Sequence, residues 1–440
     1  MNQETPKAAD GASGAALRIV PREAHTISRG NISEGALKVL YRLKKAGYEA
    51  FLVGGSVRDL LLGREPKDFD VATDAEPEEV KTLFRNSRLI GRRFRLVHVR
   101  FGQEIVEVAT FRAHHSQGDE GECVDGRIVR DNVYGTLDED ALRRDFTVNA
   151  LYYNIRDFSV VDHTTGMEDL ERGLLRFIGD AETRLREDPV RMLRVVRFAA
   201  KLGFRVDDEI ERLMPRLGEL LVDIPPARLF DEVLKLFHYG YALETFELLR
   251  HYDLYRRLFP ASESMLAEEQ EGFPRLLIAH ALENTDQRVQ EGKAVNPAFL
   301  FAAFLWEPMR EAMKRLSGEL DEQEAMQEAA DEVLAAQVSR VALPRRFSVM
   351  VREMWTLQLR LTRTTGKRPT LLLGHPRFRA AYDFLLIRAR AGEPVAELAE
   401  WWTKFQESDP SAQAAMIDSA PKKKRRRRRR PRRPREAPAT

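Results

Sequence analysis

Residues 51–73, FLVGGSVRDLLLGREPKDFDVAT, put the tightest constraint on what this chain can fold into. The apolar run FLV stops at Gly54-Gly55, a short segment with Arg58 and Asp59 follows, and Pro66-Lys67 leads into Asp68-Phe69-Asp70. That order predicts a strand over EAFLVG, a helix starting at SVRDLLLG and a second strand over DFDVAT. On a strand, residues i and i+2 face the same side, so Asp68 and Asp70 project together while Phe69 and Val71 enter the core. Two carboxylates on one face repel unless a positive charge lies between them. Mg²⁺ suits that place, because it takes oxygen ligands and keeps waters and phosphates in its shell. The paired glycines let backbone N–H groups approach phosphate oxygens, with a helix start behind them and Arg58 on its first turn. Taken singly, Asp68 is a turn residue, Asp70 an exposed acid and the glycines an ordinary turn; only the combination points to a nucleoside triphosphate.

The chain continues as strands and short helices to about residue 160. ISEGALKVLYRLKKAG reads as a helix that Ser33 can cap and Gly47 can end, and EPEEVKTLF as a helix with Pro77 in its first turn. RFRLVHVRF and EIVEVATF read as strands joined by a turn near Gly102, and LYYNIRDFSVVD as the last strands. Glu107 lies on the opposite face of its strand from Val106 and Val108, so a hairpin can bring it beside Asp68 and Asp70. Three carboxylates can hold two metal ions, an arrangement suited to displacement at phosphorus. After about residue 165 the spacing is helical almost throughout, as in EDPVRMLRVVRFAAKLGF and DEQEAMQEAADEVLAAQ. At 440 residues the chain is too long for one ordinary domain. The expectation is an α/β N-terminal head, a mixed sheet with helices, followed by an all-α neck and body. The boundaries expected are a disordered leader over 1–18, a head over 30–163, a helical neck over 164–225, a helical body over 226–408 and a disordered basic tail over 409–440.

Charge divides the chain unevenly. Residues 421–435, PKKKRRRRRRPRRPR, carry twelve basic side chains against a net of +2 for the whole, so the remainder sums to about −10. Such a tail binds polyanions with strong salt dependence, and RNA backbone is its natural partner. Cys123 is the only cysteine, which excludes an intrachain disulfide and makes a reducing, cytoplasmic compartment the default. No apolar run is long enough for a membrane helix, so no membrane partner is expected. The first residues read as a flexible leader rather than a signal peptide.

The motifs LVGGSVRDLLLG, KDFDVAT, EVATFR, RRDFTVNAL and EDPVRMLRVVRFAAKLGF, in that order over roughly residues 50–205, resemble the class II nucleotidyltransferases, the family of bacterial poly(A) polymerases and tRNA CCA-adding enzymes. Within it, LIGRRFRLVHVRFG, the segment leading to Gly54-Gly55 and the basic tail are more similar to the poly(A) polymerases. The resemblance implies a polymerase-β-like head and template-independent transfer of AMP from ATP to RNA 3′ ends, with release of pyrophosphate. It implies Asp68, Asp70 and Glu107 as catalytic carboxylates holding two Mg²⁺ ions (Mn²⁺ being possible). It also implies Gly54, Gly55 and Arg58 on the triphosphate, Arg144 and Asp145 near ribose and triphosphate, Asp188 and Arg191 on the base edge, and Arg194 and Arg197 completing the nucleotide pocket. Ser56 stands where the nearest relatives often have Gly, and its hydroxyl can bond a phosphate.

Other features have plainer readings. Asp188-Pro189 is also an ordinary helix start, and Arg191, Arg194 and Arg197 advance at i+3 opposite an apolar stripe of Met192, Val195, Val196 and Ala199. His114, His115 and Cys123 are too few and too oddly spaced for zinc. Arg228 and Glu232 can pair at i, i+4, and Trp401-Trp402 reads as helical core rather than as a base-stacking platform. Two alternatives share the head: CCA addition to tRNA, which would use CTP as well as ATP, and an RNA-binding protein with an inactive transferase site.

Overall fold

The computed structural model describes residues 17–91, 95–113, 123–124, 127–128, 133–266 and 276–419. Arg92, Arg93, Phe94, His114, His115, most of the leader and the run 421–435 therefore lie outside the described residues, and of Cys123 only the backbone is described. The chain divides into two compact units. The first comprises Met1–Ile224 with Glu244–Arg257, and the second Pro225–Leu243 with Leu258–Thr440.

The first unit is built on an eight-stranded sheet: Arg18–Val20 (β1), Ala50–Val53 (β2), Asp70–Thr73 (β3), Ser87–Ile90 (β4), Leu96–Phe101 (β5), Glu104–Thr110 (β6), Leu151–Asn154 (β7) and Val160–Asp162 (β8). Their order in the sheet is β1-β8-β7-β2-β3-β6-β5-β4. Every pairing is antiparallel except β3 with β6, so the sheet is mixed as the sequence predicts. The parallel pair arises because the chain leaves β3 through the helix Pro77–Leu83, adds β4 and β5 at the edge, and returns through the Gly102 turn (φ 63°) to lie beside β3. One face of the sheet is packed by the helix Glu34–Lys45 (α1), whose Ala36, Val39, Leu40 and Leu43 are fully buried. Ser33 caps α1, its Oγ accepting the Ala36 N–H at 3.1 Å.

Two local expectations need correction. The strand predicted over DFDVAT starts only at Asp70, so Asp68 and Phe69 belong to the preceding bend. The in–out alternation still runs back through them, with Phe69 buried and Asp68 exposed, but without ladder hydrogen bonds. The chain after 408 is not wholly unfolded either, because Pro410–Ser419 is helical. Asp409 accepts the N–H groups of Ser411 and Ala412, and Met416 and Ile417 pack against the cluster around Trp402. Short side chains and a Pro obscured that helix, which depends on tertiary packing more than on its own propensity.

Past the sheet, the first unit continues through Ala181–Glu187 (α2) and Val190–Leu202 (α3). Among the described residues the second unit's elements are all helices. Its core includes Trp355 and Trp402, whose Nε1–H groups donate to the carbonyls of Ala302 and Leu361. Trp402 is thus a core residue, as its setting predicts. Glu232 pairs with Lys235 at 2.8 Å. Among the described residues no helix is long and apolar enough to cross a membrane.

Candidate active site

Register brings the first site residues together. Tyr152 is the partner of Val53, Val53 of Asp70, Asp70 of Glu107 and Glu107 of His98, one transverse row across β7-β2-β3-β6-β5. Paired residues in neighbouring strands share a face, so the Asp70 and Glu107 side chains emerge side by side. Glu107 reaches Asp70 through the parallel β3–β6 pairing. The hairpin partner supplies His98, whose Nε2 lies 3.4 Å from Glu107 Oε2. Asp68 enters from the bend below and adds to the negative charge felt by Asp70.

The electrostatics follow from that crowding. Desolvation first, then the Glu107 carboxylate, push Asp70 up to about 6, while Arg144 pulls the other way. Asp70 nevertheless keeps an open side to solvent. Among the described residues no three acidic, His or Cys side chains close into a preformed metal cage. An open carboxylate cluster under mutual repulsion fits a hard divalent cation whose remaining ligands are substrate oxygens and waters.

Gly54 ends β2 at φ 76°, ψ −138°, a conformation open in practice only to glycine. A Cβ there would meet Arg144 Nη1 at 3.6 Å, an ordinary contact, so the backbone and not space requires glycine. Gly55 begins the helix Gly55–Leu61. Arg58 lies beneath this turn and is only 1% exposed. Its Nε and Nη2 donate to Asp59 Oδ1 at 2.8 and 2.6 Å, and its Nη1 donates to Asn149 Oδ1. Arg58 is thus placed to support the Gly54-Gly55 backbone from behind rather than to face solvent. The Ser56 hydroxyl, read from sequence as a phosphate donor, is 3% exposed and donates to the Val53 carbonyl at 3.0 Å.

Arg144 stands nearer the carboxylates. Its Nε donates to the Tyr152 hydroxyl at 2.8 Å and its Nη2 to Asp140 Oδ2 at 2.9 Å. Burial alone would lower the Arg144 pKa, but Tyr152 and Asp140 outweigh it and raise the value. Asp145 is likewise penalised by burial but held low by Arg194, whose Nε donates to Oδ2 at 3.0 Å, and by the Phe146 N–H and the Asn149 amide.

The arginine helix splits in its roles. Met192, Val195, Val196 and Ala199 are buried, as the stripe predicts. Asp188 closes α2 and accepts the Val190 N–H at 3.2 Å, so it serves as a cap. Arg191 is turned back, donating to the Arg184 carbonyl at 2.6 Å and to Glu187 at 2.7 Å. Arg194 reaches Asp145, and Arg197 lies over the Phe198 ring at 4.9 Å. Arg58 and Arg194 approach the same ring at 5.5 and 5.9 Å, so three guanidinium groups gather around one aromatic side chain. Sequence reasoning missed Phe198, Asn149 and Asp140, although Phe198 and Asn149 lie inside the quoted motifs. The available signal was a polar side chain among apolar ones at Asn149, and an aromatic among arginines at Phe198.

Comparison with known proteins agrees with this geometry. Residues 50–176 match the model described as the Poly A polymerase head domain. Residues 203–266 match the probable RNA and SrmB-binding site of polymerase A, and 318–435 the polymerase A arginine-rich C-terminus. Poly(A) polymerase I of Salmonella typhimurium is 49% identical over 439 residues, covering 96% of this chain and 94% of that one. The chain belongs to the poly(A) polymerase family. As a member it is a polynucleotide adenylyltransferase, and the family implies ATP as substrate and use of a divalent metal ion. CCA-adding enzymes stand further off. That of Lactobacillus gasseri is 42% identical over 201 residues, 46% of this chain and 49% of its own. The crystal structure of the Bacillus stearothermophilus CCA-adding enzyme in complex with CTP superposes with a TM-score of 0.52 at 26% identity, covering 84% of this chain and 81% of that one.

Proposed function

We propose that the enzyme adds AMP units from ATP to RNA 3′ ends without a template, using Asp68, Asp70 and Glu107 to hold two Mg²⁺ ions, or Mn²⁺ in their place. The observation that carries this reading is the register pairing of Asp70 with Glu107 on one sheet face, beside a glycine turn backed by cations, in a chain of this family. The RNA 3′ oxygen attacks the α-phosphorus of ATP, the bond to the β-phosphate oxygen breaks, and pyrophosphate leaves. Cations bound to the carboxylates would lower the pKa of the attacking hydroxyl and stabilise the leaving oxygen.

The remaining roles belong to the chain. The Gly54-Gly55 backbone meets the phosphates, held from below by Arg58, while Arg144 supplies fixed positive charge next to Asp70. Asp145 and Arg194 border the ribose and base, with Asp188, Arg191 and Arg197 along the recognition helix. Because Arg191 is tied to Glu187, its contact with a base requires that pair to open. The head is assigned to residues 30–163, the recognition neck to 164–225 and the RNA-binding body to 226–408. The basic run 421–435 supplies affinity for RNA backbone without sequence preference. The single cysteine favours a cytoplasmic place of action.

The test is extension of a short labelled oligoribonucleotide with each nucleoside triphosphate separately. A long ladder with ATP alone, abolished in Asp70→Asn, is expected. One to three additions on a tRNA ending that require CTP would replace this reading with CCA addition. RNA binding with no extension under any condition would point to an inactive transferase site.

A further inference from the structure

The helical second unit contains a cavity of about 260 Å³ lined by none of the residues discussed so far. Its wall combines three kinds of group. Phe299 and Met350 give an apolar side, with Phe299 half-buried and touched edge-on by Phe384 at 5.9 Å. Arg288 and Arg379 bring guanidinium groups, and Arg379 is 73% exposed at the opening. Asn284 and Asp383 add polar side chains to the lining.

These polar groups are incompletely used. Among the described residues the Asn284 amide has no hydrogen-bond partner, although the residue is half-buried. Asp383 Oδ1 accepts from Arg379 Nε at 3.0 Å. Burial drives the Asp383 pKa up, against the pull of Arg379 and then Arg288, so the carboxyl would gain from a further donor. A half-buried amide and carboxyl of this kind offer hydrogen-bonding positions to a ligand that enters the cavity.

The ligand chemistry follows from the combination. A flat apolar wall flanked by arginines is how proteins hold single-stranded nucleic acid, with bases stacked and phosphates on cations. Ligand pockets for drug-sized molecules run about 300–1,000 Å³, and this cavity, just below that range, suits a ligand as small as a single base. Asp383 accepts a hydrogen bond and therefore calls for an amino group on that base. An Asn amide matches the amino and N7 atoms of adenine in two parallel bonds. Uracil would set a carbonyl oxygen where the donor is needed.

We propose that this cavity is a second nucleotide site, which takes one adenylate of the RNA strand rather than the incoming ATP. The inference rests on the RNA-adenylating reading above and extends it: the body would recognise the product that the head makes. A free adenine nucleotide offers the same base chemistry, and the test separates the two sources.

Asn284→Ala and Arg379→Ala are made in the full-length chain, since alanine at these helical positions is compatible with folding. Binding of labelled oligoadenylate and oligouridylate of equal length is measured by anisotropy, with initial rates over RNA and ATP concentration. Asn284→Ala is expected to weaken oligoadenylate roughly tenfold, leaving oligouridylate affinity, kcat and the KM for ATP unchanged. Arg379→Ala is expected to weaken both oligomers and to reduce the salt slope by about one. An unchanged preference for oligoadenylate in Asn284→Ala overturns the proposal. Loss of AMP binding by that variant, with oligoadenylate binding intact, overturns it in favour of a free nucleotide. If wild-type protein fails to extend RNA with ATP, the reading of the head fails, while the binding comparison still judges the cavity by itself.

Discussion

Asn149→Ala is the sharpest probe of how the site is held together. Asn149 is 8% exposed and its carboxamide bridges two charges: Oδ1 accepts from Arg58 Nη1 and Nδ2 donates to Asp145 Oδ1 at 3.3 Å. After truncation Arg58 keeps only Asp59, and one guanidinium N–H is left buried without a partner. Asp145 keeps the Phe146 N–H and Arg194. Charge-assisted hydrogen bonds contribute about 1.5–3 kcal/mol, and stranding a buried donor costs about 1–3 kcal/mol. The Asp145 bond is long and its acid has other partners, so the Arg58 side dominates and the total comes to roughly 2–4 kcal/mol. For a unit of this size each kcal/mol moves the midpoint by about 2–4 °C, so the first unit should melt roughly 5–15 °C lower. The same change frees Arg58 beneath Gly54-Gly55 and loosens the Asp145–Arg194 pair, so the KM for ATP should rise while RNA affinity holds. Thermal unfolding by circular dichroism and steady-state kinetics read the two effects. Asn149→Asp separates them further, since it keeps an acceptor for Arg58 but sets a second carboxylate against Asp145. An Asn149→Ala variant with wild-type melting and an unchanged KM for ATP would refute the reasoning.

Three other outcomes are expected. Asp70→Asn should cut turnover by roughly 10²–10³-fold, the scale of losing one fixed electrostatic group. The apo protein should not melt lower, because the change removes repulsion from Glu107; a clear drop in melting temperature would count against that. Gly54→Ala should cost about 1–3 kcal/mol through backbone strain and raise the KM for ATP, since φ 76° is retained only by distorting the turn; kinetics identical to wild type would show the turn to be dispensable. His238 is half-buried with its Nε2 buried and unpartnered, and desolvation pushes its pKa down to about 4. Its folded pKa is depressed, so as pH falls from about 6.5 the unfolded chain protonates first, and stability present above that pH is lost progressively toward pH 4. Between pH 7 and 5 the second unit should lose about 2 kcal/mol, and His238→Met should flatten that slope in denaturant titrations.

The site was legible where covalent order fixes geometry. Gly54-Gly55 follows a strand, and Asp70 opens the next one. Alternation alone tells that Glu107 points away from Val106 and Val108. The register that sets Asp70 beside Glu107 was not legible, because it depends on how β6 returns along β3 after a two-strand excursion. Nor was the burial of Arg58, since a basic residue on a first helical turn beside glycines reads as a phosphate ligand from sequence alone. Its depth comes from Asp59 and Asn149, the latter ninety-one residues away. The helix Pro410–Ser419 escaped for a related reason: its support lies in Phe405, whose carbonyl accepts from Gln413, and in the cluster around Trp402.

The paired charges around the candidate site are better explained by position than by stability. Arg58 with Asp59, Arg144 with Asp140 and Arg194 with Asp145 each have a side chain no more than 15% exposed on the acidic side. Ion pairs desolvated to this degree gain little over well-packed apolar groups of the same size, so folding alone does not call for three of them at one end of a sheet. Each acid is instead placed where it fixes the direction of a guanidinium without occupying the side that faces Asp70, Gly54 or the Phe198 ring. The acids come from three separate segments, the helix Gly55–Leu61, the helix Leu137–Leu142 and the loop before Phe146. Asn149 ties the first and third together. Cations oriented before substrate arrives need not reorganise when charge moves from the α-phosphorus to the leaving oxygen, and that saving is the usual source of electrostatic catalysis. The tolerance of the site for Asp→Asn changes should therefore follow which guanidinium each acid aims, and not how deeply the acid is buried.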